Sequence, residues 1–594
     1  MEKSAYDPQV LKANLDELED LTVRLVKAIA NRRESDPAMQ GPGYNLYAKA
    51  AAAYYAEMMA HPERIIEQQV QFWRKSLENF SHAQKLLGDE GGKDEDPVKP
   101  PPGDRRFKNP LWESNPYFNF VRDQYLLSSD MIDQTVADLE EIDDKDKKRV
   151  QFFARQMVDL FSPSNFFGTN PDALEKALET NGQSLVDGLA NLVRDLEAND
   201  GELSVTLADP KAFEVGGNIA TSPGEVVFRN RMFELIQYAP ATQEVYKTPL
   251  VIFPPWINKF YILDLKEKNS FIRYAVSQGY TVFVVSWVNP DENYRDVGID
   301  TYVKEGALAA VEAVLEITGS RKVNAIGYCI GGTLLTITLA LMAARGDDRI
   351  KSATFFTTLT DFAEAGDLGV FIDADFLAAI EHEVDKRGFL DSFYMSKTFS
   401  YLRANDLVYG PAVRSYMMGE APPAFDLLFW NGDSTNLPAR MAKEYLRHLY
   451  AENELIQGKF TIDDTVIDMT RIDLPVYAVA TEADHIAPWK SSFTGLSKTS
   501  GEKQMVLSES GHIAGIVNPP EAGKYGYWLN EAPCEAPDQW QKTAEHHDGS
   551  WWPHWSQWLS ERSGKMVPAR QPGSNTYPPL APAPGTYVVA ARKK

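Results

Sequence analysis

Apolar residues recur every three or four positions over residues 8–87, and the same spacing returns over residues 115–196. Such spacing puts the apolar side chains on one face of a helix, so it predicts amphipathic helices. The segment between them, about 88–106, is rich in glycine, proline and charge and is typical of an exposed linker. The first 210 residues are therefore expected to form a mainly helical N-terminal domain.

Beyond residue 210 the pattern changes to short apolar runs that are rich in β-branched residues and bounded by turns. Seven runs predict strands: 225–229, 250–253, 281–286, 323–326, 353–358, 476–480 and 504–507. Helical stretches separate several of them, which favours an α/β fold with a mostly parallel sheet covered on both faces. The long interval between the fifth and sixth runs predicts an inserted helical cap at about 361–472, within a domain spanning 211–594.

Composition narrows the class of protein. Of the 594 residues, 44% are hydrophobic and 24% are charged, which is typical of a folded globular chain. The formal net charge of −24 argues against nucleic-acid binding, since neutralising phosphates needs a basic face. The two cysteines, Cys329 and Cys534, imply no disulfide framework. With no signal-peptide pattern and no run long enough for a membrane span, a cytoplasmic protein is expected.

The sharpest chemical signal is Gly327-Tyr328-Cys329-Ile330-Gly331, which follows a predicted strand and opens a predicted helix. It has the form G-x-C-x-G of a nucleophile elbow, in which the two glycines leave room for a tight turn. A free cysteine is more often a small buried hydrophobe. Here the strand, both glycines and the helix coincide, so Cys329 is predicted to be a covalent nucleophile in an α/β-hydrolase fold.

Partners for the nucleophile are expected in loops after later strands, in the order acid and then histidine. Asp484 follows the sixth predicted strand and His512 follows the seventh. His485 adjoins Asp484 but precedes the last strand, so His512 is favoured as the base. Asp361, which follows the fifth strand, remains an alternative acid. Two further acids are weaker candidates, Glu482 and Asp433.

Two backbone amides are expected to stabilise the oxyanion. Ile330 follows the nucleophile and would supply one of them, and the loop after an earlier strand would supply the other. In that loop Ile257 or its neighbour is the candidate. Thiolate attack on a thioester gives another thioester, so the acyl group stays activated. Cysteine at the elbow therefore favours acyl transfer over hydrolysis.

From about residue 105 onward the chain resembles a known family. Five segments carry the resemblance: 254–265, the elbow, 425–433, 484–489 and 511–515. The family is that of the polyhydroxyalkanoate synthases, specifically the long single-subunit (class I) kind that polymerises short-chain 3-hydroxyacyl-CoA. The resemblance implies that Cys329 holds the acyl group or growing chain as a thioester and that His512 deprotonates the thiol. Asp484 would assist the attacking 3-hydroxyl, by itself or through His512.

The resemblance also implies the partners. The products would be a polyester and free CoA, so the CoA thioester is a substrate, and neither a cofactor nor a metal ion is expected. A homodimer at the surface of polymer granules is implied, with the N-terminal domain aiding attachment and contacts with granule-associated proteins. Val288 stands where the family commonly has arginine, and residues 407–411 replace a usual Trp-Asn pattern. These departures leave the shape and movement of the cap open.

Two other functions remain as alternatives. One is a hydrolase of the same fold, an esterase, thioesterase or polyester depolymerase, in which water replaces the acceptor hydroxyl. The other is a granule-coating interaction protein whose catalytic centre is vestigial. Incubation with 3-hydroxybutyryl-CoA tests the first alternative, because a hydrolase would give free hydroxy acid without polymer. Cys329→Ala tests the second alternative, because a vestigial centre would leave CoA release unchanged.

Overall fold

A computed structural model describes residues 8–32, 44–87, 99–101, 104–140, 142–530 and 534–590. The chain divides into two compact units. Unit 1 comprises Met1–Asp209 and Lys397–Pro423, and unit 2 comprises Pro210–Ser396 and Ala424–Lys594. Most of the predicted linker at 88–106 lies outside the described residues. Part of the segment assigned to the cap from the sequence thus belongs to unit 1, and the domain boundaries stay a prediction.

Unit 1 is helical, as the apolar spacing indicates. Its helices before residue 210 are α1 (Pro8–Ala30), α2 (Tyr44–Ala60), α3 (Pro62–Leu87), α4 (Leu111–Ser114), α5 (Pro116–Ala137), α6 (Asp144–Leu160), α7 (Pro171–Glu179) and α8 (Gln183–Ala198). Leu21 of α1 packs against Val186 and Val193 of α8, and all three are buried. Burying such side chains is the main stabilisation of amphipathic helices that would be marginal alone.

The inserted segment Lys397–Pro423 packs against α8 within unit 1. Tyr416 donates its hydroxyl hydrogen bond to the buried carboxylate of Asp195 at 2.8 Å. The side-chain amide of Asn191 donates to the Ser415 carbonyl at 3.0 Å. The backbones meet at Gly188, where a Cβ would lie 2.1 Å from the Tyr416 carbonyl oxygen. A glycine is therefore required for this close approach.

Unit 2 is built around a large sheet. The strands along the chain are β1 (Gly224–Arg229), β2 (Phe233–Tyr238), β3 (Glu244–Tyr246), β4 (Leu250–Phe253), β5 (Val282–Trp287), β6 (Val323–Tyr328), β7 (Ile350–Phe356), β8 (Phe389–Leu390), β9 (Leu437–Pro438), β10 (Thr461–Ile462), β11 (Thr465–Val466), β12 (Val476–Thr481), β13 (Lys503–Ser508), β14 (Tyr527–Leu529), β15 (Glu545–His547), β16 (Met566–Pro568) and β17 (Ala581–Pro582).

Eleven of these strands form one sheet in the order β15-β14-β13-β12-β7-β6-β4-β5-β2-β1-β17. The six central strands, from β13 to β5, pair in parallel, and antiparallel strands extend both edges. All seven strands predicted from the sequence are present, so the α/β fold class is confirmed. The sequence pattern missed β2, whose six residues are all buried, because the polar Glu234 and Gln237 interrupt its apolar run.

The remaining helices along the chain are α9 (Phe271–Ser277), α10 (Ile299–Thr301), α11 (Ala309–Thr318), α12 (Ile330–Ala344), α13 (Ala374–Arg387), α14 (Ser392–Leu402), α15 (Gly410–Ala412), α16 (Asp426–Asn431), α17 (Ala439–Glu444), α18 (Trp489–Ser497), α19 (Pro537–Thr543) and α20 (Trp552–Ser560). In the described part of the chain, no helix combines the length and the apolar character needed to cross a membrane.

Tryptophans near the C-terminus belong to the core of unit 2. Trp551, Trp552 and Trp555 are fully buried in one apolar cluster that also contains residues of the central strands. The Trp555 indole donates to the Thr354 hydroxyl of β7 at 3.1 Å. These tail aromatics are therefore core rather than surface residues, and large aromatic side chains dominate the energetics of burial.

Candidate active site

Cys329 lies in a sharp turn between β6 and α12. Its backbone φ of 54° is in the left-handed region, which costs a residue with a Cβ roughly 1–3 kcal/mol. A Cβ on Gly327 would lie 2.4 Å from the Gly332 Cα, and one on Gly331 would lie 2.1 Å from the Phe253 carbonyl oxygen. Both glycines are therefore needed to close the turn. This is the strained strand-to-helix geometry of a nucleophile elbow.

Asp484 and His512 come together at the ends of neighbouring parallel strands. Asp484 follows β12 and His512 follows β13, and Asp484 Oδ2 lies 2.7 Å from His512 Nδ1. A carboxylate can only accept, so Nδ1 donates this hydrogen bond and Nε2 is the nitrogen left for chemistry. The other carboxylate oxygen of Asp484 accepts the backbone N–H groups of Ile486 and Ala487, at 2.9 and 2.8 Å. Asp484 is thus held in place from three directions.

The imidazole of His512 also lies near enough to Cys329 for the charge of that thiol to act on it. Burial lowers the pKa of His512, but the charges of Asp484 and Cys329 and the hydrogen bond to Asp484 outweigh burial and raise this pKa to about 10. His512 can therefore hold a proton over the neutral pH range. The three residues that the sequence proposed as a triad follow strands β6, β12 and β13 of the same sheet, and their roles stay predictions.

Several residues whose contacts the sequence does not predict support the His512 loop. The Tyr328 hydroxyl donates to the His512 carbonyl at 3.3 Å. The indoles of Trp551 and Trp552 donate to the carbonyls of Gly515 and Ile516, at 2.8 and 2.9 Å. The tryptophan-rich composition of the tail is the only sequence signal for these contacts, and it carries no information about their partners.

The predicted oxyanion residues lie at the ends of adjacent strands. Ile330 is the first residue of α12, so its N–H has no carbonyl one turn earlier to bind and remains available. Ile257 lies in the loop after β4, and β4 pairs directly with β6. The Ile257 carbonyl accepts the Thr435 N–H at 2.8 Å, which fixes the peptide group of this loop. Both assignments stay predictions.

The rival residues have other contacts. The Asp361 carboxylate accepts the side-chain amide of Asn453 at 2.8 Å and the N–H of Ala363 at 3.0 Å. The Asp433 carboxylate accepts the Tyr261 hydroxyl at 2.8 Å. The His485 carbonyl accepts the Asp367 N–H at 2.9 Å, which ties that residue to a neighbouring loop. Among the described contacts, Asp484 is the acid that binds His512.

Two buried tyrosines lie close to the nucleophile. Tyr445 and Tyr450 belong to a helical turn, Tyr445–Ala451, that continues α17, and their hydroxyl oxygens are 3.4 Å apart. Burial raises the pKa of Tyr450, and the charges of Cys329 and Asp484 raise it further. Both hydroxyls therefore stay protonated, and Tyr445 donates its hydrogen bond to the Tyr450 hydroxyl. No local pattern in the sequence points to them.

Three residues of types that can bind a metal ion lie in and just after the same helical turn. In the part of the chain that the structure describes, His448, Glu452 and Glu454 bring ligand atoms within 4.8 Å of one another. His448 Nδ1 lies 3.0 Å from Glu454 and 3.6 Å from Glu452. These are the distances of partly exposed ion pairs, which are common without a metal.

A parallel sheet with an elbow after β6 defines a protein of the α/β-hydrolase fold, and the family model described as "alpha/beta hydrolase fold" matches residues 248–519. A second model, "Poly-beta-hydroxybutyrate polymerase (PhaC) N-terminus", matches residues 103–275. The two models overlap and together extend through both units.

Three curated relatives make the assignment more specific. The chain is 43% identical to a poly(3-hydroxyalkanoate) polymerase of Methylorubrum extorquens, over 98% of either chain. It is 42% identical to a polymerase subunit PhaC of Rhizobium meliloti, over 89% of this chain and 86% of the relative. It is 42% identical to the corresponding subunit of Cupriavidus necator, over 82% and 83%. The chain belongs to the poly(3-hydroxyalkanoate) polymerase family, and the family predicted from the sequence is confirmed.

Proposed function

We propose that this chain polymerises (R)-3-hydroxyacyl-CoA into a polyester with release of CoA, through a thioester on Cys329. The observation that carries the proposal is the site in which Asp484 orients His512 through a hydrogen bond and the charge of the nearby Cys329 thiol raises the pKa of His512. The match of residues 103–275 to a poly-β-hydroxybutyrate polymerase model supports a short-chain monomer such as 3-hydroxybutyryl-CoA. The CoA thioester is the substrate, and no separate cofactor takes part.

The acylation step begins with attack of the Cys329 thiolate on the thioester carbonyl carbon. A carbon–sulfur bond to Cys329 forms, the carbon–sulfur bond to CoA breaks, and the CoA sulfur takes the proton that His512 holds. The amides of Ile330 and Ile257 are the proposed donors to the oxyanion that forms between these events. The acyl group then remains activated as a thioester on the enzyme.

The transfer step uses the 3-hydroxyl of a monomer or growing chain as the nucleophile. His512 Nε2 takes the hydroxyl proton, the new ester bond forms, and Cys329 leaves as a thiolate beside the imidazolium. Asp484 already accepts two backbone N–H groups and the His512 Nδ1–H, which supports a role through His512 rather than direct contact with the hydroxyl. The ion pair of the resting site is regenerated.

The wider assembly is proposed from the family alone. We expect a homodimer associated with polymer granules, with the helical N-terminal region contributing to attachment and to contacts with granule-associated proteins. Analytical ultracentrifugation of the purified chain, followed by sedimentation with preformed polyester particles, tests both statements. A monomer that stays in the supernatant would contradict them without affecting the chemistry.

The chemistry is tested with the full-length chain and 3-hydroxybutyryl-CoA. Free CoA is measured with a thiol reagent, and the acyl product is separated into polymer and hydroxy acid. Cys329→Ala should abolish CoA release, whereas Cys534→Ala is the matched control that removes the other thiol and should retain it. Free hydroxy acid without polymer would identify a hydrolase, and unchanged CoA release in Cys329→Ala would remove the covalent mechanism.

A further inference from the structure

The C-terminal tail, near residue 588, lies beside the loop that contains Ile257. The Lys259 Nζ, two residues after Ile257, donates to the Val588 carbonyl at 2.5 Å. Only 10% of the Lys259 side chain is exposed, and Val588 is 2% exposed within the apolar cluster of unit 2. Lys259 and Val588, which are 329 positions apart in the sequence, are thus joined by a hydrogen bond from a buried ammonium group.

The tail is fixed before it reaches Lys259. The fully buried carboxylate of Glu234 accepts the N–H groups of Thr586 and Tyr587, both at 2.8 Å, and the Thr586 hydroxyl at 2.7 Å. Arg229 lies 2.5 Å from the same carboxylate and supplies its countercharge. A buried carboxylate with these partners is well satisfied, and losing them would leave it unpaired at a high cost. The tail is therefore held firmly enough to position what it contacts.

Lys259 also connects the tail to the segment after α16. Its ammonium lies 3.2 Å from the Asp433 carboxylate, and its carbonyl accepts the Trp430 indole N–H at 2.7 Å. The preceding residue, Asn258, donates to the Ser434 hydroxyl at 3.3 Å. The loop after β4 is thereby bound on one side by residues 430–435 and on the other by the tail.

We infer that Lys259 is a positioning residue for acyl transfer: by joining the Val588 carbonyl to Asp433, it fixes the loop whose Ile257 amide is the proposed second oxyanion donor. The inference rests on the proposed function. An oxyanion donor must lie within about 2.7–3.1 Å of the developing charge, and a misplacement of about 1 Å costs on the order of a hundredfold in rate. A buried lysine with a fixed carbonyl and a carboxylate restricts such movement.

Lys259→Met tests this because methionine keeps the apolar stem and removes the donor. CoA release at saturating 3-hydroxybutyryl-CoA should fall about tenfold or more, with KM within about twofold of wild type, as expected when a transition-state interaction is weakened. Lys259→Arg, which keeps the charge, should recover most of the rate. Lys304→Met is the matched control, since Lys304 forms surface ion pairs with Asp300 and Asp463.

A second reaction of the same cysteine separates positioning from loss of structure. Iodoacetamide alkylates Cys329 by displacement of iodide, and this reaction forms no oxyanion. Its rate, followed by mass spectrometry of the Cys329 peptide, should therefore be unchanged in Lys259→Met while CoA release falls. If Lys259→Met does not fold, Asp433→Asn is judged by the same two rates, because asparagine still accepts from Tyr261 but no longer balances the charge of Lys259.

The outcomes are distinct. Slower CoA release with normal alkylation supports the inference. Unchanged CoA release overturns it, and so does a parallel loss of both rates, which would mean that the whole site has collapsed. If the wild-type chain releases no CoA, the proposed function itself fails, and that result is visible before any variant is compared.

Discussion

His512 donates from Nδ1 to Asp484 at 2.7 Å, and this bond determines which imidazole nitrogen is presented to the Cys329 thiol. Asp484→Asn should therefore allow the wrong tautomer and lower the rate of CoA release by about three to four orders of magnitude. The measurement is CoA release from 3-hydroxybutyryl-CoA. Asp361→Asn is the control, because Asp361 binds Asn453 and should change the rate only slightly. An equal loss in both variants would contradict the assignment of Asp484.

The raised pKa of His512 makes a prediction about pH. Its pKa is about 10 in the folded chain, against an ordinary value of 6.5, so the charged imidazole contributes stability that is complete below about pH 6.5. That contribution is lost as the pH rises through about 10. Urea unfolding across a pH series measures the free energy of unfolding of the wild-type chain and of His512→Gln. The difference between the two free energies should decrease toward high pH.

Cys329→Ala provides the check on this interpretation. It removes one of the two charges that raise the pKa of His512 and leaves Asp484 in place. The decrease in stability should then still begin near pH 6.5, but it should end at a lower pH and be smaller in total than in the wild-type chain. If the pH dependence is the same with and without the thiol, the proposed ion pair between Cys329 and His512 is wrong.

The elbow makes a prediction about packing. Gly331→Ala would put a Cβ 2.1 Å from the Phe253 carbonyl oxygen, a backbone atom that cannot move away cheaply. We expect a loss of roughly 2 kcal/mol or more in the free energy of unfolding, together with loss of CoA release. Gly168→Ala, whose new Cβ meets no atom within 4 Å, is the control. Circular dichroism during denaturation measures the stability of both variants. Equal stability of the two variants would argue against this turn geometry.

The contact between α8 and the inserted segment makes a prediction about unit 1. Tyr416→Phe removes one of the hydrogen bonds to the Asp195 carboxylate, whose other partners are the N–H and hydroxyl of Thr206 and the guanidinium of Arg194. A hydrogen bond to a buried charge is worth about 1.5–3 kcal/mol, so α8 amides should exchange with deuterium faster. Tyr117→Phe is the control, since Tyr117 is exposed and its hydroxyl makes only a 3.5 Å contact. Unchanged exchange in Tyr416→Phe would show that the contact is energetically minor.

The sequence was most informative where chemistry depends on neighbouring residues. The elbow around Cys329 is a local turn, and Asp484 and His512 follow from the order of strands in a known fold. The contacts that hold the site together have no such local signature. Lys259 and Val588 are 329 positions apart, and a lysine in a loop is usually a surface residue. Only the folded chain brings such pairs together.

The same limit applies to the cap. Helical spacing predicted an insertion between the fifth and sixth strands, but periodicity does not state which surface a helix will cover. Residues 397–423 pack against α8 because Gly188 permits a backbone approach and Asp195 offers a buried acceptor. Neither residue type is unusual by itself, so the grouping could not be inferred without coordinates.

The division of unit 1 into two stretches affects how the chain can fold during synthesis. Ribosomes add about 5–20 residues per second, and roughly 210 residues separate Asp209 from Pro423. For a period on the order of ten to forty seconds, the nascent first unit lacks the segment Lys397–Pro423 that completes it. During that time α8 exposes Gly188 and the Asp195 carboxylate. A fragment ending at residue 209 would keep this gap permanently, so the first unit is not separable by a single cut.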